Sequence, residues 1–149
     1  MRAVVQRVSE ASVSVDGEVV GRIASGLLVY LGVAAGDGSA DIAYIVSKVR
    51  GVRIFEDGNG KMNHSVVDAG RAVLLVPQFT LSGDVRTGRR PSFDAAEAPA
   101  VARTRYEETL VALRSTGLSV AAGVFQGHMH VASVNDGPVT ILLDSSRLF

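Results

Sequence analysis

The sequence predicts a single α/β domain, α+β in finer terms: a largely antiparallel sheet or barrel flanked by two helices. Three observations predict it. Short valine-rich, partly alternating runs open and close the chain, two stretches between them carry apolar residues at helical spacing, and glycine-rich breakers separate the segments. A length of 149 residues, 47% of them hydrophobic, suits one domain over residues 1–149 with a continuous core.

Ala3 to Val8, Ala11 to Val15 and Glu18 to Ile23 read as strands, and Asp16-Gly17 between the last two is a two-residue hairpin signal. Gly26 to Val33 is a continuous apolar run of strand length, which predicts a central strand buried on both faces. After Gly36-Asp37-Gly38-Ser39, residues Ile42, Ile45, Val46 and Val49 recur at helical spacing, with Ser39 as the expected N-cap. Ile54 to Gly70 is dominated by turn formers such as Asp57-Gly58-Asn59-Gly60, so a hairpin and loop precede a strand over Arg71 to Gln78. A loop over Leu81 to Asp94 holds a basic cluster. The second helix is expected over Ala98 to Leu113, ended by Gly117, and strands follow at Ser119 to Ala122, His128 to Val134 and Val139 to Leu143.

Fifteen basic residues balance fifteen acidic ones, so overall charge steers nothing toward nucleic acid and any RNA contact must rest on a local patch. No DNA partner is expected. The absence of cysteine removes disulfides, thiolate nucleophiles and zinc-thiolate sites. No run is long enough to span a bilayer and the opening residues lack a signal-peptide core, so the expectation is a soluble cytoplasmic protein with no membrane partner.

Two segments carry chemistry. Asn135-Asp136-Gly137-Pro138 sits between apolar, β-branched runs; it is an ordinary turn signal, yet a Gly-Pro pair also lets a strand aim two carbonyl oxygens where regular backbone cannot. At Val76-Pro77-Gln78-Phe79-Thr80-Leu81, a hydroxyl and an amide appear just as an apolar strand should leave the core.

Together, Gln78-Phe79-Thr80-Leu81 and Asn135-Asp136-Gly137-Pro138-Val139-Thr140 closely resemble the two signatures of the D-aminoacyl-tRNA deacylase family. The resemblance extends to Arg2-Ala3-Val4-Val5-Gln6-Arg7-Val8, Gly26-Leu27-Leu28-Val29, Gly60-Lys61-Met62-Asn63 and Arg90-Pro91-Ser92-Phe93, nearly the whole chain. It implies hydrolysis of the carboxylic ester linking a D-amino acid to tRNA, with mischarged glycyl-tRNA as a second substrate. It also implies an obligate homodimer in which the Gly-Pro motif of one copy enters the pocket of the other, forming two composite sites. Pro77 departs from the family's usual serine, which argues against a nucleophile at that position.

In this reading Gln78, Phe79 and Thr80 form the catalytic segment, with Phe79 and Thr80 offering backbone N–H groups to the developing oxyanion of the ester. The tRNA 2′-hydroxyl helps place or activate water. Gly137 and Pro138 select chirality: if their bond is cis, both carbonyl oxygens fill the volume an L-side chain would need, while a D-residue points elsewhere and glycine has no side chain. Arg7 is implied to orient those carbonyls, and Met129 matches a position near the family's pocket. Arg86, Arg89 and Arg90 are candidates for tRNA phosphate, the alternative being a solvated loop. His128, Met129 and His130 offer an i, i+2 histidine pair with no third ligand, and His64 stands alone, so no metal and no organic cofactor is expected. Two rivals stay open: a hydrolase of other esters using Thr80 as nucleophile, and a noncatalytic tRNA-binding module.

Overall fold

The computed structural model describes residues 1–148. Its organising element is the strand β1, Arg2–Val15, which merges the first two expected strands. They join because irregular pairing near Arg7 and Ser9 lets the chain bend without ending. Val8 and Ala11, three residues apart, consequently fall in the same apolar cluster, although an unbroken period of two would set them on opposite faces. Ser9 and Glu10 are exposed at the bend.

One edge of β1 pairs first with β3, Gly26–Gly32, and then with β2, Glu18–Ile23, both antiparallel. The hairpin between β1 and β2 turns at Asp16 and Gly17, both at positive φ (50° and 81°), as the Asp-Gly signal requires. Beyond β3 lie β6, Ala72–Pro77, and β7, Val120–Ala122. These last pairings are parallel. The sheet is therefore mixed, because β3 reaches β6 and β6 reaches β7 through crossovers that each carry a helix. β2 curls toward β7 and nearly closes the sheet: a Cβ on Gly21 would lie 2.7 Å from the Ala122 carbonyl oxygen, so glycine permits the approach.

Helix α1 spans Ser39–Gly51 and α2 spans Pro99–Ser115. The N-cap of α1 is Gly38 rather than Ser39, and Asp41 takes over the capping role by accepting the Gly38 N–H at 2.8 Å. The hairpin β4–β5 (Phe55–Glu56 and Met62–His64) fills the turn-rich stretch. Ile42, Ile45 and Val49 of α1 and Ala102, Tyr106 and Leu113 of α2 pack with Val5, Val29 and Leu75 on one face of the sheet. Leu28, Leu74, Val76 and Val13 fill the other, inside the curl. The two strands expected on either side of Asn135-Asp136-Gly137-Pro138 are a single strand, β8, His130–Asp144, antiparallel to β1 throughout. No helix among the described residues is long and apolar enough to cross a membrane.

Candidate active site

β6 stops at Pro77, which has no N–H to continue the ladder. Gln78 makes one last bond, its N–H to the Leu31 carbonyl at 2.7 Å, and the chain tightens into a 3-10 turn over Phe79–Ser82. Leu81 N–H donates to the Gln78 carbonyl (3.3 Å), and Arg2 Nη1 holds the Leu81 carbonyl (3.0 Å). This leaves the first two N–H groups of the turn, on Phe79 and Thr80, without a partner among the described residues, as the geometry of a helical N-terminus dictates. Both residues are exposed. The Gln78 side-chain amide donates to Thr80 Oγ1, and the Phe79 ring meets Phe93 edge-on at 5.0 Å. Met129 Sδ accepts the Val124 N–H at 3.3 Å and, with Pro77 Cδ, crowds the space over Gly123, which places Met129 beside this turn.

The basic loop follows directly. Asp84 and Ser92 exchange two backbone hydrogen bonds (2.8 and 2.9 Å), closing residues 85–91 into a loop. Within it Arg86 is already engaged: Nε and Nη2 fork onto the Asp84 carboxylate at 3.0 and 2.5 Å. That fork, with the Arg86 backbone N–H, pulls the Asp84 carboxyl down to about 2. Arg89 and Arg90 are exposed, with no carboxylate within 4 Å among the described residues.

The Gly-Pro segment is a bulge, not a turn. Gln6 pairs with Thr140 and Val8 with Asn135, so Asp136, Gly137, Pro138 and Val139 all stand opposite the single residue Arg7. Arg7 is 8% exposed; its Nε donates to the Asp136 carbonyl at 3.0 Å and its Nη1 to the Ile54 carbonyl at 2.7 Å. Asn135 bridges the base of the bulge, donating to Thr140 Oγ1 at 3.1 Å and accepting the Val139 N–H at 3.0 Å. The Gly137–Pro138 peptide is cis, and Gly137 has φ of 139°. A Cβ there would lie 2.7 Å from Val139 Cγ2. Asp136, Gly137 and Pro138 are exposed.

One copy of the chain does not bring these two groups together. Gln78 sits beside Leu31 and the bulge beside Arg7, whose β3 partner is Leu27. They are four residues apart along the strands, roughly 13 Å, and three strand spacings across, roughly 14 Å. Between them a row runs across the sheet from the exposed Leu142 (55%) through the half-buried Val4 to the half-buried Tyr30. Partial burial in this row raises the Tyr30 hydroxyl above its ordinary value.

A family model described as D-Tyr-tRNA(Tyr) deacylase matches residues 4–144. The chain belongs to this deacylase family. Relatives named D-aminoacyl-tRNA deacylase include those of Koribacter versatilis (58% identical) and Desulfitobacterium hafniense (56%), each aligned over 149 residues and 100% of both chains. Among solved structures, one titled c-Myc DNA Unwinding Element Binding Protein is 40% identical, with a TM-score of 0.92, covering 97% of this chain and 98% of that one. Another, titled as a probable eukaryotic D-amino acid tRNA deacylase, shares the fold at 18% identity with a TM-score of 0.79, covering 95% and 97%.

The sequence reading missed several residues that build these deacylase-family segments. Asn135 and Phe93 are legible only as members of motifs, with no sign of what they hold. Asp84 gave no signal that it would engage Arg86. Tyr106 of α2 donates its hydroxyl to the Leu75 carbonyl at 3.0 Å, where Gly123 N–H also donates (2.9 Å), tying together the supports of the turn. His128 and His130 stack edge-on at 5.3 Å, and no metal-ligand cluster occurs among the described residues.

Proposed function

We propose that this chain is a D-aminoacyl-tRNA deacylase, a hydrolase that cleaves D-aminoacyl and mischarged glycyl esters of tRNA in the cytoplasm and so proofreads chirality in translation. The observation that carries the reading is the pair of consecutive free N–H groups on Phe79 and Thr80, exposed beside a hydroxyl already held by Gln78. Two such donors suit the oxyanion that develops as water attacks an ester carbonyl. Thr80 Oγ1 accepts from an amide and faces no base, so its hydroxyl is a donor and positioner, not an activated nucleophile. The 2′-hydroxyl of the terminal adenosine supplies the remaining help with water.

Selection falls to the bulge. Its main-chain carbonyls, held from behind by Arg7, offer a side-chain-independent steric test at the α-carbon that L-residues fail. Because the bulge and the Gln78-Phe79-Thr80 turn lie far apart on one copy, the composite site needs a second copy to deliver the bulge. The partly exposed Leu142–Val4–Tyr30 row is the apolar face such a homodimer would cover. Arg89 and Arg90, with Arg86 tied to Asp84, meet phosphates of the acceptor end.

The deciding experiment charges one tRNA with D-tyrosine, L-tyrosine or glycine and follows ester hydrolysis. D-tyrosine and glycine should be released and L-tyrosine retained; equal cleavage of both enantiomers would overturn the selection argument. The structural relative at 40% identity, named as a DNA unwinding element binding protein, raises DNA binding as a second reading. Tight duplex DNA binding without ester hydrolysis would favour it.

A further inference from the structure

Away from both segments, the C-terminal turn of α1 and the turn after β5 enclose a cleft of about 600 Å³ whose lining includes Ser47, Arg50, Arg53, Ser65 and Asp68. Its charged lining sets two arginines against one carboxylate. Arg50 Nε is buried and, like Arg105 Nε, has no acceptor among the described residues, so its guanidinium is not committed to a protein partner at that atom. Neither Arg50 nor Arg53 has a carboxylate within 4 Å among the described residues. The one acidic group in the lining, Asp68, is already engaged: it accepts the Ser65 N–H (2.9 Å) and hydroxyl (2.7 Å). Those bonds hold its carboxyl below the ordinary range, with smaller help from the charges of His64 and Arg53.

A dipole argument accounts for only part of this. Lys48 and Arg50 in the last turn of α1 complement its negative end. Arg53 lies beyond the helix, is exposed, and gains nothing from it. Two guanidinium groups with unused donors around one cleft are suited to forked binding of a tetrahedral oxyanion.

The position of the cleft narrows the choice of anion. Arg53 precedes Ile54, whose carbonyl accepts from Arg7 Nη1, and the same Arg7 supports the bulge through the Asp136 carbonyl. The cleft and the chirality-selecting bulge thus share one support. We propose that this cleft is a phosphate subsite for the RNA backbone, taking a phosphate of the tRNA acceptor strand whose terminal ester is being cleaved; this rests on the deacylase reading above. The copy that inserts its bulge then also grips the RNA, through Arg50 and Arg53, while the copy that supplies the Phe79–Thr80 amides grips it through Arg89 and Arg90.

The test compares the parent protein with Arg53→Gln and with Arg50→Gln/Arg53→Gln. Filter binding of uncharged tRNA is measured across a salt series, beside hydrolysis of D-tyrosyl-tRNA and of a D-tyrosyl-adenosine ester that lacks the strand. The double variant should weaken tRNA binding about tenfold. The salt slope should fall by about 1 for the single and about 2 for the double variant. Turnover of the adenosine ester should not change. Because Arg53 is exposed, the single variant keeps the test valid if the double fails to fold. Unchanged tRNA affinity and slope would overturn the proposal, as would a parallel loss of adenosine-ester turnover. Protection of the parent alone by inorganic phosphate, without any effect on tRNA, would also overturn it. If the parent cleaves no D-tyrosyl-tRNA, the deacylase reading fails, while weaker tRNA binding by the variants would still support the subsite.

Discussion

The Gln78–Ser82 turn and the Asp136–Val139 bulge are both exposed main chain, but they are held in opposite ways. The turn is shaped locally, by a proline that ends β6, a 3-10 turn within four residues and a side-chain bond from Gln78 to Thr80, with Arg2, 79 residues away, anchoring the Leu81 carbonyl. The bulge is set from far away in sequence, by Arg7 with |i−j| of 129 to Asp136 and 47 to Ile54. A turn whose shape comes from neighbouring residues can lose one distant anchor and keep that shape, whereas a bulge held from behind by one buried guanidinium depends on that group. In the proposed function the comparison also separates chemistry from selectivity: donors would sit on the turn and the steric gate on the bulge.

The strongest way to break this division acts on the turn. Thr80→Pro deletes one N–H of the donor pair and should lower kcat on D-tyrosyl-tRNA by about 10²–10³. Thr80→Ala keeps the N–H and loses only the hydroxyl, so its cost should stay within about tenfold. If Thr80→Ala is as dead as Thr80→Pro, the side chain and not the backbone does the chemistry. Mixing Thr80→Pro with Gly137→Ala sharpens the point. In a hybrid dimer one site receives a sound turn and a sound bulge from different copies, so part of the D- over L-tyrosyl preference that Gly137→Ala loses should return. No recovery would mean that each copy works alone.

Next in size is the support of the bulge. Arg7→Ala strands two carbonyls that a buried guanidinium satisfied and should cost about 2–4 kcal/mol in denaturant unfolding. It should also narrow the preference for D- over L-tyrosyl ester. Arg7→Lys should restore only part of either, since one ammonium cannot span both carbonyls in the fork geometry. Full rescue by lysine would show that charge alone, not the two-point hold, fixes the bulge.

How much of this was legible in the sequence follows the same local-versus-distant line. The Asp16-Gly17 hairpin, the buried β3 and both helices were readable because their signals are contained within each segment. The continuity of β1 and β8 was not, because bulges shift the two-residue period and only pairing between the strands keeps them whole. Asn135-Asp136-Gly137-Pro138 has the composition of a turn, and what prevents a reversal is the ladder to β1 on both sides of it. The parallel pairing of β3 with β6 is likewise a property of a crossover, not of either run. For the site, motif resemblance located both segments, yet nothing along the chain signals that the topology holds them roughly 13 Å apart along the strands.

The smallest effect concerns the loop beside the turn. Asp84 is drawn from its ordinary 3.8 to about 2, chiefly by the Arg86 side chain and then by the Arg86 backbone N–H. A carboxyl depressed on folding stabilises the folded form fully above its unfolded value and loses that contribution as pH falls through the folded one. The window here is therefore about 4 down to about 2. Because Arg86 is exposed and Asp84 partly so, solvent screening leaves little of it in global stability. The readable quantity is the titration itself: the Asp84 carboxyl carbon followed by NMR should show a midpoint near 2, and a midpoint at the ordinary value would mean that Arg86 is free. Asp84→Asn then tests the functional side. It releases a third guanidinium beside Arg89 and Arg90, so the salt slope of tRNA binding should steepen by about 1 if this loop meets phosphates, and stay flat if it is only a solvated loop.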